Sequence, residues 1–135
     1  MPPIQNTQMA LKLIYRANIF VVNHARAALQ MGRDDDNDIV VASLFASRLH
    51  ARIQVRDGQF VLTDLSSNGT FVLVDTQSDA QSGGQSDDQS GAQAAEIRLR
   101  QEEMVLGGRG WLGLGRSAST HGEHSVRFAV EAEIA

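Results

Sequence analysis

Apolar and polar residues alternate with a period of two along most of this chain, the pattern of strands that bury one face. Leu11, Leu13 and Tyr15 alternate with Lys12, Ile14 and Arg16, and the β-branched stretch Ile19 to Val22 follows. Leu29-Gln30-Met31 leads into Gly32-Arg33, and Ile39-Val40-Val41 reads as another short strand. The clearest pair is His50 to Arg56 and Gln59 to Leu65. In the first, Ala51, Ile53 and Val55 alternate with Arg52, Gln54 and Arg56; in the second, Phe60 and Leu62 return to the core face. Between them Asp57-Gly58, both tolerant of positive φ, predicts a tight two-residue hairpin. Thr70 to Val74 follows the turn Ser67-Asn68-Gly69, and strand-like sequence resumes at Ile97 and Leu99, Met104 to Leu106, Trp111 to Leu114 and Ser125 to Glu131. No segment has the length and stripe of an amphipathic helix; the best helical candidate is the short, Ala-containing Asn23 to Gln30. Short strands separated by turn signals predict an all-β fold, a two-sheet sandwich with Ile53, Val55, Phe60, Leu62, Val126 and Phe128 in its core.

One stretch breaks the pattern. Apart from Thr76, Asp75 to Gln93 is built from Gln, Ser, Asp, Gly and Ala without apolar periodicity, so residues 75–93 are expected to form a flexible surface insert. Because strands resume directly after it and neither half looks able to stand alone, residues 1–135 are expected to form one domain.

Composition narrows the function. Cysteine is absent, which removes disulfides, a thiol nucleophile and Cys-built metal sites. The N-terminal residues carry no positive charge ahead of an apolar run, and no apolar stretch reaches the length of a membrane span, so a cytoplasmic location without membrane insertion is expected. Sixteen acidic residues against twelve Lys and Arg give a formal charge of -4, which disfavours backbone-driven nucleic-acid binding. All the basic residues except Lys12 are arginine, whose rigid donor fork suits phosphate and carboxylate.

The enzyme and cofactor readings are weak. Ser47 and His50 lie close in sequence, but Gly-x-Ser-x-Gly and its strand-turn-helix context are absent. His121, Glu123 and His124 lack the helical spacing of a zinc motif, and Asp34-Asp35-Asp36-Asn37-Asp38 lacks the glycine and terminal glutamate of a calcium loop. The glycine-dense segment Gly107 to Arg116 matches neither a dinucleotide fingerprint nor a P-loop. The expectation is therefore no enzyme, no cofactor and no metal. Three turns say more: Gly32-Arg33, Ser47-Arg48 ahead of His50, and Ser66-Ser67-Asn68-Gly69. In a sandwich, loops at one end converge, and Arg, Ser and Asn donors together could form an anion site for a peptide. On the residues alone, three ordinary turns explain them as well.

Met31-Gly32-Arg33, Asn37-Asp38-Ile39-Val40, Ser47-Arg48-Leu49-His50-Ala51 and Asp64 to Val72 resemble the forkhead-associated (FHA) domain in order and spacing. That resemblance implies an FHA/SMAD-like β-sandwich that recognises phosphothreonine peptides. It implies contacts to the phosphopeptide from Arg33, Ser47, Arg48, Ser67 and Asn68, with Ser67 standing where threonine is common. It makes Gly32, Asn37, His50 and Gly69 braces of the loops. Glu96 to Arg116 is also similar to the FHA form attached to bacterial adenylate and guanylate cyclases, although no cyclase catalytic sequence is present. The implied function is a phosphothreonine-dependent interaction module in bacterial signalling, within a larger protein, whose partner is a Ser/Thr kinase substrate. Intramolecular binding or self-association is compatible with it. The alternative is a phosphate-independent regulatory or oligomerising domain of a nucleotide cyclase. Since Thr70 to Val74 runs away from Asn68, the insert is expected at the far end from the ligand.

Overall fold

A computed structural model describes residues 8–75, 96–120 and 123–133. Eleven strands form two sheets: β1 (Gln8–Tyr15), β2 (Asn18–Val22), β3 (Ala28–Gly32), β4 (Ile39–Val40), β5 (Ala51–Arg56), β6 (Gln59–Asp64), β7 (Thr70–Val74), β8 (Glu96–Leu99), β9 (Glu103–Leu106), β10 (Arg109–Leu114) and β11 (Val126–Glu133). The larger sheet has the order β2-β1-β11-β10-β7-β8, the smaller β4-β3-β5-β6-β9. All pairings are antiparallel except the two-residue match of β3 with β4. The only helical element among the described residues is a 3-10 turn at Ala118–Thr120.

The alternation read from the sequence fixes which face each strand buries. Leu11 and Leu13 from the larger sheet meet Leu29, Met31, Ile53 and Leu62 from the smaller in one continuous core, completed by Leu112, Val126 and Phe128. Phe60 is 4% exposed, and Val55 is half-buried against the cluster. A fully buried Leu or Phe contributes about 1.5–3 kcal/mol through burial, so this two-sided core is what holds the sheets together. The β5–β6 hairpin closes as expected: Asp57 and Gly58 have φ of 52° and 76°, and Arg56 pairs with Gln59. Both central residues in the left-handed region match the twist of the flanking strands.

The helical candidate, Asn23 to Gln30, is a turn followed by β3. The Asn23 side chain accepts hydrogen bonds from the amides of Ala25 (2.9 Å) and Arg26 (2.8 Å), which folds the segment into an Asx turn instead of a helix. Beyond it Leu29 and Met31 bury on alternate positions, and this tertiary gain overrides the local helix propensity of alanine. The expected insert at 75–93 lies outside the described residues apart from Asp75, as does His121 of the imagined metal cluster. β7 begins beside Asn68 and carries the chain roughly 15 Å before Asp75.

Candidate functional site

The loops between β3 and β4, β4 and β5, and β6 and β7 are stitched together at one end of the sandwich. Arg33 and Asp34 donate their amides to the carbonyls of Ser47 (2.9 Å) and Arg48 (3.1 Å), and the His50 amide donates to Met31 (2.9 Å). This approach is close enough that a Cβ at position 32 would overlap the Arg48 carbonyl, so glycine is required there for room, not for φ. The Asn37 side-chain amide donates to the carbonyls of Arg48 (2.6 Å) and Asp34 (2.8 Å), tying the same two loops. The acidic run is turn chemistry: Asp38 accepts from the Gln30 amide (2.8 Å) and pairs with Arg26 (2.7 Å), and no group of three acidic or imidazole ligands gathers among the described residues.

His50 is fully buried and acts as the rivet. Its Nδ1 accepts the Ser47 amide at 2.9 Å, so the proton of the neutral ring sits on Nε2 and is donated to the Gly69 carbonyl, also at 2.9 Å. Burial pushes its pKa below the ordinary value, against the raising influence of the Gly69 bond and of Asp64, whose oxygen lies 4.0 Å away. The ring therefore links the Ser47 loop to the Asn68 loop as a neutral bridge. Gly69 has φ of 96°, a left-handed conformation that suits glycine, and its carbonyl also accepts the Gly115 amide at 2.9 Å.

Asp64 organises the third loop from beneath. One oxygen accepts the hydroxyls of Ser66 (2.6 Å) and Thr70 (2.7 Å), the other the amide of Gln101 (2.8 Å). Burial works to raise its pKa, but the bonds from Ser66, Gln101 and Thr70 together outweigh that and hold it below the ordinary carboxylate value. Ser66 then passes the order on, since its hydroxyl oxygen accepts the Gly69 amide at 2.7 Å.

What remains outward is a set of donors. Arg33 spends Nε on the Ala46 carbonyl (3.0 Å), which fixes the guanidinium of an otherwise exposed side chain. Arg33 and Arg48 line one open depression of about 370 Å3, which they share with Asp34 and Asp35; neither arginine makes an ion pair among the described residues. The Ser47 hydroxyl accepts the Ser67 amide at 3.2 Å, so its own proton is left to donate. Asn68 is exposed; its side-chain amide donates to the Phe45 carbonyl at 3.2 Å, and its backbone carbonyl accepts Arg98 at 2.8 Å. The fold thus brings Arg33, Ser47, Arg48, Ser67 and Asn68 to one end, with Gly32, Asn37, His50 and Gly69 behind them. Such a set can hold a tetrahedral anion and hydrogen-bond an extended backbone beside it.

Sequence reasoning assigned no role to several supporting residues. Asp64 was detectable, because it continues the inward register of Phe60 and Leu62, where a carboxylate must find buried donors. Gln101, whose side chain donates to the Ser66 carbonyl at 2.7 Å, and Arg98 sit on distant segments and carry no local signal.

Comparison with known proteins agrees with this fold. The family model described as FHA domain matches residues 29–82. A search of curated proteins gives no match. Among solved structures, the first FHA domain of Mycobacterium tuberculosis Rv1747 is 18% identical with a TM-score of 0.60, the alignment covering 92% of this chain and 98% of that one. Mycobacterium tuberculosis EmbR, solved in complex with a low-affinity phosphopeptide, is 25% identical with a TM-score of 0.58; the match covers 97% of this chain and 26% of EmbR. The MEK1 FHA domain in complex with a phosphothreonine peptide of HOP1 is 14% identical with a TM-score of 0.58, covering 92% of this chain and 97% of that one.

Proposed function

We propose that this chain, whose residues 29–82 match the FHA domain model and whose sandwich shares the fold of solved FHA domains, is a phosphothreonine-dependent protein-interaction module. The observation that carries this reading is the donor set at this end: Arg33 and Arg48 line one depression, half-buried Ser47 stands between their loops, and the bonds that hold Arg33 and Ser47 leave further donors unspent. A phosphate at neutral pH brings about -1.5 to -2 charges and three acceptor oxygens. Arg33 meets them with its terminal amines, Ser47 with its hydroxyl proton, and Arg48 with its guanidinium from the same depression. Asn68, with Ser67 beside it, reads the peptide main chain. EmbR and the MEK1 domain were solved with phosphopeptides, which supports a phosphopeptide as the ligand of this chain.

The setting proposed is bacterial, cytoplasmic signalling, with a Ser/Thr kinase substrate as partner and the domain forming part of a larger protein, in which binding within the chain or to another copy is compatible. A second reading, a phosphate-independent regulatory or oligomerising domain such as the cyclase-attached form that Glu96 to Arg116 resembles, is favoured by one observation: Asp34 and Asp35 line the same depression and oppose an anion. Passing an oriented phosphothreonine peptide library over the immobilised domain separates the two. Enrichment that disappears in Arg33→Ala supports the first; recovery of no phosphopeptide by a folded domain supports the second.

A further inference from the structure

The outer face of an antiparallel sheet is ordinarily polar, because it meets water while the other face meets the core. The larger sheet departs from this. Register places Ile19 beside Ile14, Ile14 beside Arg127, and Arg127 beside Trp111, a row across four neighbouring strands. The residues next to them in each strand, such as Leu13, Phe128 and Leu112, are fully buried, so the row faces away from the core. Ile19 is 62% exposed, and the Arg127 guanidinium stacks over Trp111 at 5.5 Å from the ring centroid. One step along the strands, Lys12 and Arg109 flank Ala129 on the same face.

Charge on this face runs against the rest of the chain. Lys12, Ile14, Arg109 and Arg127 line a depression of about 160 Å3 whose only carboxylate is Glu131, 3.4 Å from Lys12. Arg109 and Arg127 form no ion pair among the described residues. A chain of formal charge -4 thus concentrates uncompensated arginine beside exposed isoleucine and its only tryptophan. Trp and Arg are the residue types that anchor protein interfaces, the first by buried area and the second by stacking and forked hydrogen bonds.

We propose that this face is a second docking surface, which takes an unphosphorylated acidic segment of a partner protein that also carries apolar side chains. Charge complementarity selects the occupant: carboxylates answer Arg109, Arg127 and Lys12, while apolar side chains cover Ile14, Ile19 and Trp111. The surface shares no residue with the Arg33 depression, so it can act with or without a bound phosphopeptide.

Trp111, as the single tryptophan, reports on its own surface. The probe is an unphosphorylated hexapeptide alternating glutamate and leucine, titrated into the full chain while Trp111 emission is followed, with a lysine–leucine hexapeptide as control. The expected result is a saturable shift with the acidic peptide only. Raising the salt should weaken that binding, and Arg109→Glu should weaken it at least tenfold, with phosphothreonine-peptide affinity unchanged in that variant. Three results would overturn the proposal: no saturable response at millimolar peptide, an equal response to the lysine–leucine peptide, or R109E binding within twofold of wild type. An emission change that follows protein concentration without peptide would overturn it too, assigning the face to a second copy of the chain.

Discussion

Acidification should weaken this fold through His50, and the geometry fixes the sign. Nδ1 of the buried ring accepts the Ser47 amide, so a proton placed there sets two N–H groups against each other and charges a site without water. The folded pKa therefore lies below the ordinary value of 6.5, as burial dictates. The unfolded chain takes its proton first as pH falls, and stability drops wherever the unfolded state holds more protons. His50 contributes fully above the unfolded pKa and loses that contribution progressively below it, until the folded pKa is reached. If the folded ring takes no proton in the range, one such group removes up to about 1.4 kcal/mol between pH 7.5 and 5.5, a large share of the slack in a small domain. Urea unfolding at pH 7.5, 6.5 and 5.5, for wild type and His50→Gln, isolates the effect, because the other histidines are common to both proteins. The variant should be less stable at pH 7.5, having lost a buried two-ended bridge, yet fall less steeply with acid. Identical pH slopes, or a wild type that gains stability on acidification, would refute the neutral-bridge assignment.

Asp64→Ala strands the buried hydroxyls of Ser66 and Thr70 and the Gln101 amide, and at about 1–3 kcal/mol per unsatisfied donor it should cost roughly 3 kcal/mol or more in denaturant melts. Since the folded Asp64 pKa is lowered, its stabilisation is present above the unfolded carboxylate value and is lost as pH falls through the folded one, so Asp64→Asn should flatten the acid limb below pH 4. Gly32→Ala pushes a methyl into the Arg48 carbonyl; it should lower both melting temperature and phosphopeptide affinity, as read by thermal unfolding and fluorescence anisotropy. Ser47→Ala removes a donor and the acceptor of the exposed Ser67 amide while leaving the Ser47 amide bond to His50 intact, so anisotropy should show a roughly tenfold loss of phosphopeptide affinity with only a small drop in melting temperature.

The legible part of this fold was the part governed by local rules. Alternation at Ile53, Phe60, Leu62, Val126 and Phe128 told which face each strand buries, and Asp57-Gly58 announced its own hairpin by backbone preference. Asn23 to Gln30, the best of the weak helical candidates, is turn and strand because alanine's helix propensity is small beside the burial of Leu29 and Met31 and the Asx turn at Asn23. At the candidate site, Arg33, Ser47, Arg48 and Asn68 stood out through motif spacing. The carbonyls that hold Arg33 and Asn68 did not, because they belong to Ala46 and Phe45, and any residue supplies a carbonyl. Arg98 and Gln101 reach Asn68 and Ser66 from beyond residues 75–93, a relation that exists only once β8 has paired with β7 and β9 with β6.

The central claim is that phosphate carries the recognition. Calorimetric titration of one phosphothreonine peptide and its unmodified twin, against wild type and Arg33→Ala at neutral pH, tests it directly. Losing two charge-assisted bonds at about 1.5–3 kcal/mol each corresponds to roughly a hundredfold or more in affinity. The account predicts that the unmodified peptide binds at least that much more weakly to wild type, and that R33A stays folded yet loses the phosphopeptide to a similar degree. Equal binding of the two peptides, or a folded R33A domain that keeps its affinity, would contradict it.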